Sequence, residues 1–254
     1  MKLHRLRLTL ALFALSTSTS AFAAAPAGFK EIFNGKDLAG WAGLPAHWSV
    51  KDGAITGQTT AENPAKTNTF LVYQDASPAN FELRVSFRLT GQNDNHWGNS
   101  GIQYRSKIVD AAGFVVAGYQ CDIDSPFKYT GMLYEEKGRG ILMTTGEKIR
   151  IGATTMVDDA KKAGAKKKKT AVEKLPGATP TAAVEAAYKL GEWNEMVIIA
   201  EGNHLRHYVN GTLTADIIDT DDTLGAKSGV IALQLHQGQP MTIQFKNLRL
   251  KTLP

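Results

Sequence analysis

A single cysteine, Cys121, stands in the 254 residues, so no internal disulfide can staple the chain and its stability must come from its own core. No apolar run approaches the ~20 residues a membrane helix needs, so no membrane span is expected. No internal repeat is visible. A large excess of either charge is also missing from the body of the chain. The formal net charge of +5 has two local sources. Lys2, Arg5 and Arg7 open the chain without an accompanying acid, and Lys161, Lys162 and Lys166 to Lys169 crowd one short stretch. Without both groups, 20 basic residues face 24 acidic ones. No basic stripe remains, and nucleic acid is excluded as an expected partner.

What is present begins with an export pattern. The basic start is followed by the short apolar run Leu8 to Leu15 and the small-residue triplet Ala21-Phe22-Ala23. This reads as a cleaved signal peptide over residues 1–23, leaving one mature domain over 24–254 in the periplasm or outside the cell.

The mature part is mostly period two. Phe81 to Leu89 alternates apolar and polar residues, as do the stretches Ile102 to Arg105, Tyr119 to Asp124 and Ile231 to His236. Such alternation marks strands with one buried face. Val209-Asn210-Gly211-Thr212 carries the Asn-Gly signal of a tight hairpin. Many short strands with turns between them indicate an all-β sandwich or barrel. Cys121 falls on the apolar side of its strand and reads as a buried structural thiol. Residues 147–190 break the pattern with lysines, prolines and an Ala-rich piece. They read as a Lys/Ala-rich insertion, a loosely ordered loop followed by a short helix over Thr181 to Leu190.

The polar alternates of three strands carry the chemistry. They are Gln103 and Arg105; Gln120, Asp122 and Asp124; and Gln234 and His236. Should these strands be neighbours, one sheet face gathers amides, short acids, an arginine and a histidine, groups suited to sugar hydroxyls. Trp97 lies in the polar loop 92–101 and is a candidate rim residue. Trp41, Trp48 and Trp193 are further rings able to stack on a sugar, the first two better explained as core. Asp219, Asp221 and Asp222 have a spacing that could hold Ca²⁺, although such acids are commonly solvated.

The ordered motifs Phe33-Asn34-Gly35-Lys36-Asp37-Leu38-x-Gly40-Trp41, Asn99-Ser100-Gly101-Ile102-Gln103-Tyr104-Arg105, Gly118-Tyr119-Gln120-x-Asp122-Ile123-Asp124, Thr130-Gly131-x-Leu133-Tyr134, Gly138-Arg139-Gly140, Glu192-Trp193-Asn194 and Leu233-Gln234-Leu235-His236 resemble the 3-keto-disaccharide hydrolase domain family. The resemblance runs from about Phe29 to the C-terminus, interrupted by the lysine-rich stretch. It implies a concanavalin A-like, laminin G-like jelly-roll sandwich and cleavage of 3-keto-glycosides by lyase, hydratase or net hydrolase activity. Gln120 stands where relatives carry Glu, and Asp122 where they often carry Gln, so the identity of the base stays open.

A ketone at C3 acidifies the proton on C2. A base that removes it forms an enolate, and the group on C1 can then leave. The expected roles are His236 or Asp122 as base and Arg105, with Arg139, at the enolate. Asp124 or Tyr134 would serve the leaving group, and Gln103, Gln120 and Gln234 the hydroxyls. A divalent metal held by His and Asp is a possible Lewis acid. The rivals are a non-catalytic glycan-binding module and a two-carboxylate glycosidase drawing on Asp122, Asp124, Glu135 and Glu136.

Overall fold

The computed structural model describes residues 26–254 except 163. The expected signal peptide therefore lies outside the described residues. In chain order the first strands are β1 (Lys30–Glu31), β2 (Trp41–Ala42), β3 (Trp48–Lys51), β4 (Ala54–Thr59), β5 (Thr69–Tyr73) and β6 (Phe81–Gly91). Then come β7 (Gly98–Asp110), β8 (Val115–Ser125), β9 (Leu133–Glu136), β10 (Gly140–Ile141), β11 (Lys148–Asp158) and β12 (Lys166–Lys174). Helix α1 (Thr181–Ala187) precedes β13 (Asn194–Glu201), β14 (His204–Val209), β15 (Thr212–Asp219), β16 (Val230–Leu235) and β17 (Met241–Thr252). Among the described residues no helix is long and apolar enough to cross a membrane.

The strands form two sheets. The larger runs β12-β11-β15-β14-β13-β6-β17-β4-β3 with β1 on β17, and the smaller runs β10-β9-β8-β7-β16-β5-β2. Their inner faces build one core. From the larger sheet come Phe81, Leu83, Val85, Phe87 and Leu89, every second residue of β6; from the smaller come Ile102, Tyr104, Tyr119, Cys121 and Ile123. Full burial of each large apolar side chain is worth about 1.5–3 kcal/mol. This is the two-sheet form of the all-β sandwich or barrel that the strand pattern anticipated, and the concanavalin A/laminin G-like jelly roll that the family resemblance implied. Cys121 is a buried free thiol within it.

One polar group is built into that core. His207 of β14 is fully buried; its Nε2 meets the Tyr104 hydroxyl at 2.8 Å and its Nδ1 the Gly131 carbonyl at 3.2 Å. Nδ1–H therefore donates to Gly131, and Nε2 accepts from Tyr104 across the two sheets.

The insertion corrects the sequence reading. Lys161 and Lys162 lie in a turn, but Lys166 to Lys169 form no loose loop: β11 and β12 are an antiparallel hairpin on the edge of the larger sheet, and β11 runs parallel to β15. Ile149 and Ile151 alternate with Lys148 and Arg150 and are fully buried, which anchors the hairpin to the core. Lys166 pairs with Asp158 at 3.0 Å and Arg150 with Glu173 at 2.7 Å, so part of the charge is compensated across the strands. Lysines on an edge strand also discourage pairing with another chain. The Ala-rich piece does form the expected short helix, over Thr181–Ala187.

Candidate active site

Strands β8, β7 and β16 are neighbours in the smaller sheet, as the polar-face argument requires. Gln103 pairs with Gln120, Gly101 with Asp122, and Leu233 with Ile102, so the outward side chains of the three strands fall in register. Although they face away from the core, Gln103, Gln120, Asp122 and Gln234 are all buried. Gln120, Asp122 and Gln234 floor a hollow of about 200 Å³ whose walls include Tyr134, Glu136 and His236.

A chain of amides holds this floor. Ser106 Oγ donates to Gln103 Oε1 at 2.7 Å, Gln103 Nε2 donates to Gln120 Oε1 at 2.7 Å, and Gln120 Nε2 donates to Asp122 Oδ1 at 2.6 Å. On the far side Gln234 Nε2 and Asn68 Nδ2 both donate to Glu136 Oε2, at 3.2 and 3.1 Å. Gly101 makes the arrangement possible. A Cβ at that position would lie 2.5 Å from Cγ and Cδ of Gln120, so only glycine leaves the space in which Gln120 lies across β7.

Burial pushes the Asp122 carboxyl well above the usual carboxylate range, and the charges of Asp124 and Glu136 add to the effect. Hydrogen bonds from Gln120 and Asn99 work in the opposite direction. Burial lowers His236 below the ordinary histidine value, partly offset by the Gln237 carbonyl and the charge of Glu136. The Tyr134 phenol is raised, first by burial and then by Glu136 and Asp122. The hollow thus favours a neutral acid, a neutral imidazole and a protonated phenol.

Three expected site residues lie elsewhere. Arg105 sits at an irregularity of β7 with φ +47°, which breaks the alternation and turns its side chain off the polar face. Its guanidinium donates to the carbonyls of Ala79 (2.6 and 2.8 Å), Gly202 (2.7 Å) and Ala226 (3.3 Å), tying loops together. Arg139 has a fully buried side chain that pairs with Glu135, with Asp219 at 2.6 Å and with Asp221 at 3.6 Å. Asp124 accepts the backbone N–H groups of Lys128, Tyr129 and Thr130 and the Thr130 hydroxyl, so it orders the loop after β8. Gln103, a fourth, does not line the hollow; from the neighbouring strand its Nε2 supports Gln120.

The other rings and acids divide similarly. Trp41 and Trp48 are core, and Trp193 lies under Arg88 and Lys246. Asp219 and Asp221 are buried and committed to Arg139, which replaces the Ca²⁺ reading. Among the described residues no three His, Cys, Asp or Glu side chains converge as a metal's donor set would. Of the four acids considered for a two-carboxylate mechanism, Asp122 and Glu136 share the hollow, whereas Asp124 and Glu135 are engaged elsewhere. Glu136, Asn68 and Asn99 also line the hollow, beyond the candidate binding residues that the sequence pointed to. Period two contained the signal for two of them: Glu136 shares a face with Tyr134, and Asn99 with Gly101 and Gln103.

A two-sheet jelly roll with an amide-and-acid hollow on its smaller sheet belongs to the carbohydrate-related β-sandwiches. The chain is a member of the 3-keto-alpha-glucoside-1,2-lyase-like domain family, which it matches over residues 28–251. No curated protein matches it. Among solved structures, a Parabacteroides distasonis protein proposed to be a glycosyl hydrolase is 18% identical, with 89% of this chain and 94% of that one covered and a TM-score of 0.53. A second such protein from the same organism is 18% identical, with 89% and 99% covered and a TM-score of 0.51. A Bacillus subtilis protein of unknown function with a galectin-like fold is 11% identical, with 85% and 90% covered and a TM-score of 0.51. At these identities the likeness establishes the fold.

Proposed function

We propose that the protein is an exported enzyme that cleaves 3-keto-glycosides by removing the C2 proton, eliminating the group on C1 and then hydrating the product. The observation that carries this reading is the pairing of His236 and Asp122 in one hollow, with their proton affinities displaced in opposite directions. A neutral imidazole accepts a proton, and a carboxyl held in its acid form donates one.

In this mechanism the sugar ring occupies the hollow with its hydroxyls on Gln120, Gln234 and Asn99. His236 takes the proton from C2. The electron pair moves toward the C3 carbonyl oxygen, where the Asp122 O–H donates a hydrogen bond as charge develops. Collapse of the enolate forms the C1–C2 double bond and breaks the C1–O bond, and Tyr134 lies in the same hollow to protonate the departing oxygen. Water then adds to C1 while C2 regains a proton, giving the free 3-keto sugar. With Arg105 and Arg139 placed elsewhere, the enolate is stabilised by hydrogen bonds in a desolvated site.

His236→Ala and Asp122→Asn should each lower kcat on a 3-keto-disaccharide by about 10²–10⁴-fold. Full turnover by both variants would contradict the assignment, and equal cleavage of the unoxidised disaccharide would contradict the need for the ketone. A non-catalytic glycan-binding role is the second reading, favoured by the number of amides in the floor; binding of the 3-keto sugar without turnover by the native protein would select it. Export is tested by the N-terminus of the mature protein, which should be Ala24.

A further inference from the structure

A second, larger hollow of about 560 Å³ adjoins the first, and His236 lines both. Ala65, Trp97, Gln237, Gly238 and Gln239 complete its lining. His236 meets the Trp97 ring edge-on, at 5.7 Å between centroids and 74° between planes. Resting on the function proposed above, we infer that this hollow receives the leaving group, and that the group is an uncharged ring with an apolar face.

The position follows from the base. The base contacts the hydrogen on C2, and C1 is the next ring atom, so a group on C1 also lies beside His236 and can extend into the hollow that shares this residue, over Trp97. The chemistry follows from the lining. Apart from His236 no side chain in it carries a titratable group, which disfavours phosphorylated or acidic leaving groups. An indole beside two amides matches a ring with an apolar face and polar edges.

The platform is held in place before anything binds. Asn93 Oδ1 accepts the Trp97 backbone N–H at 2.9 Å, and Asn93 Nδ2 donates to the Trp97 carbonyl at 2.7 Å and the Pro240 carbonyl at 3.3 Å. Gly238, with φ +131°, lets the opposite wall lie against the indole: a Cβ there would come within 2.9 Å of Trp97 Cη2. A preformed platform loses little freedom on binding.

A pyranose and an aryl ring share the required chemistry, so the test carries both. Calorimetric titration with unoxidised methyl, phenyl and glucosyl glucosides measures binding alone, because without the ketone no C2 proton is removed. The native protein should bind at least one ring glucoside about three- to ten-fold more tightly than the methyl glucoside. Which ring glucoside shows the gain identifies the source. Trp97→Ala should abolish the preference and Trp97→Phe should keep most of it, with unchanged circular dichroism confirming that each variant is folded. Equal binding of all three glucosides, no detectable binding of either ring glucoside, or a preference that survives in Trp97→Ala would overturn the inference. Turnover of the 3-keto forms is read separately, so a failure of the mechanism and a failure of this subsite give different results.

Discussion

Asp122 and Gly101 define the site at the scale of single residues. Asp122 has a folded-state proton affinity raised by burial. Its contribution to folding is therefore complete below its unfolded value and is lost as pH rises through the folded one. Asp122→Asn removes that penalty while keeping an oxygen for Gln120, so thermal unfolding at pH 8 should show a melting temperature no lower than that of the native protein, alongside the loss of activity. The same displacement shapes the rate. With His236 below 6.5, the acid limb of kcat/KM falls below the ordinary histidine range, and the alkaline limb reports loss of the Asp122 or Tyr134 proton. A profile whose acid limb lies above pH 6.5 would exclude His236 as the base. Gly101→Ala places a methyl group against Gln120 and should cost about 1–3 kcal/mol in urea denaturation, together with a fall in kcat as Asp122 loses its donor.

At the scale of elements, β7, β8 and β16 were legible because each alternates cleanly and the apolar half of every pair is large. Adjacency was not legible, since pairing of β7 with β16 joins residues more than a hundred positions apart. Arg105 shows where period two fails: an irregularity of one residue after Tyr104 redirects a side chain that alternation places in the site. Asp124 and Arg139 were misplaced for a different reason. Residue type alone does not reveal a carboxylate spent on three backbone N–H groups, or a guanidinium spent on Glu135 and Asp219. The lysine run hid a strand because charge and strand-forming pattern conflict locally, and tertiary pairing with β11 decided the outcome. Burial of Ile149 and Ile151 implies that this hairpin is part of the cooperative fold. Ile151→Ala should cost about 2–4 kcal/mol, whereas Lys167→Gln should leave the urea midpoint almost unchanged.

For the whole molecule, the two sheets are bridged through the core by His207 and Tyr104. Burial lowers His207 from 6.5 to about 4 in the folded protein. Its neutral form contributes stability above pH 6.5, and that contribution is lost as pH falls toward 4, about 3 kcal/mol over the full interval. Urea midpoints should therefore decline between pH 6.5 and pH 4, and His207→Gln should flatten the decline. Because Asp122 changes stability in the opposite direction over this range, the comparison with the variant decides: equal pH dependence in the native protein and His207→Gln would contradict the buried neutral imidazole assigned to the bridge. The division of labour is then plain. The inter-sheet face carries apolar mass with this bridge and the Tyr119–Asp219 hydrogen bond, while the outer face of the smaller sheet carries the amides and acids of the hollow.

In the proposed mechanism, cleavage passes through loss of the C2 proton. Turnover of a 3-keto-disaccharide in D₂O, followed by mass spectrometry of the free 3-keto sugar at early times, tests it directly. The account requires one deuterium at C2, introduced when water completes the hydration, and its disappearance together with product in His236→Ala. Product released at the native rate with protium retained at C2 would mean direct hydrolysis and would contradict the account.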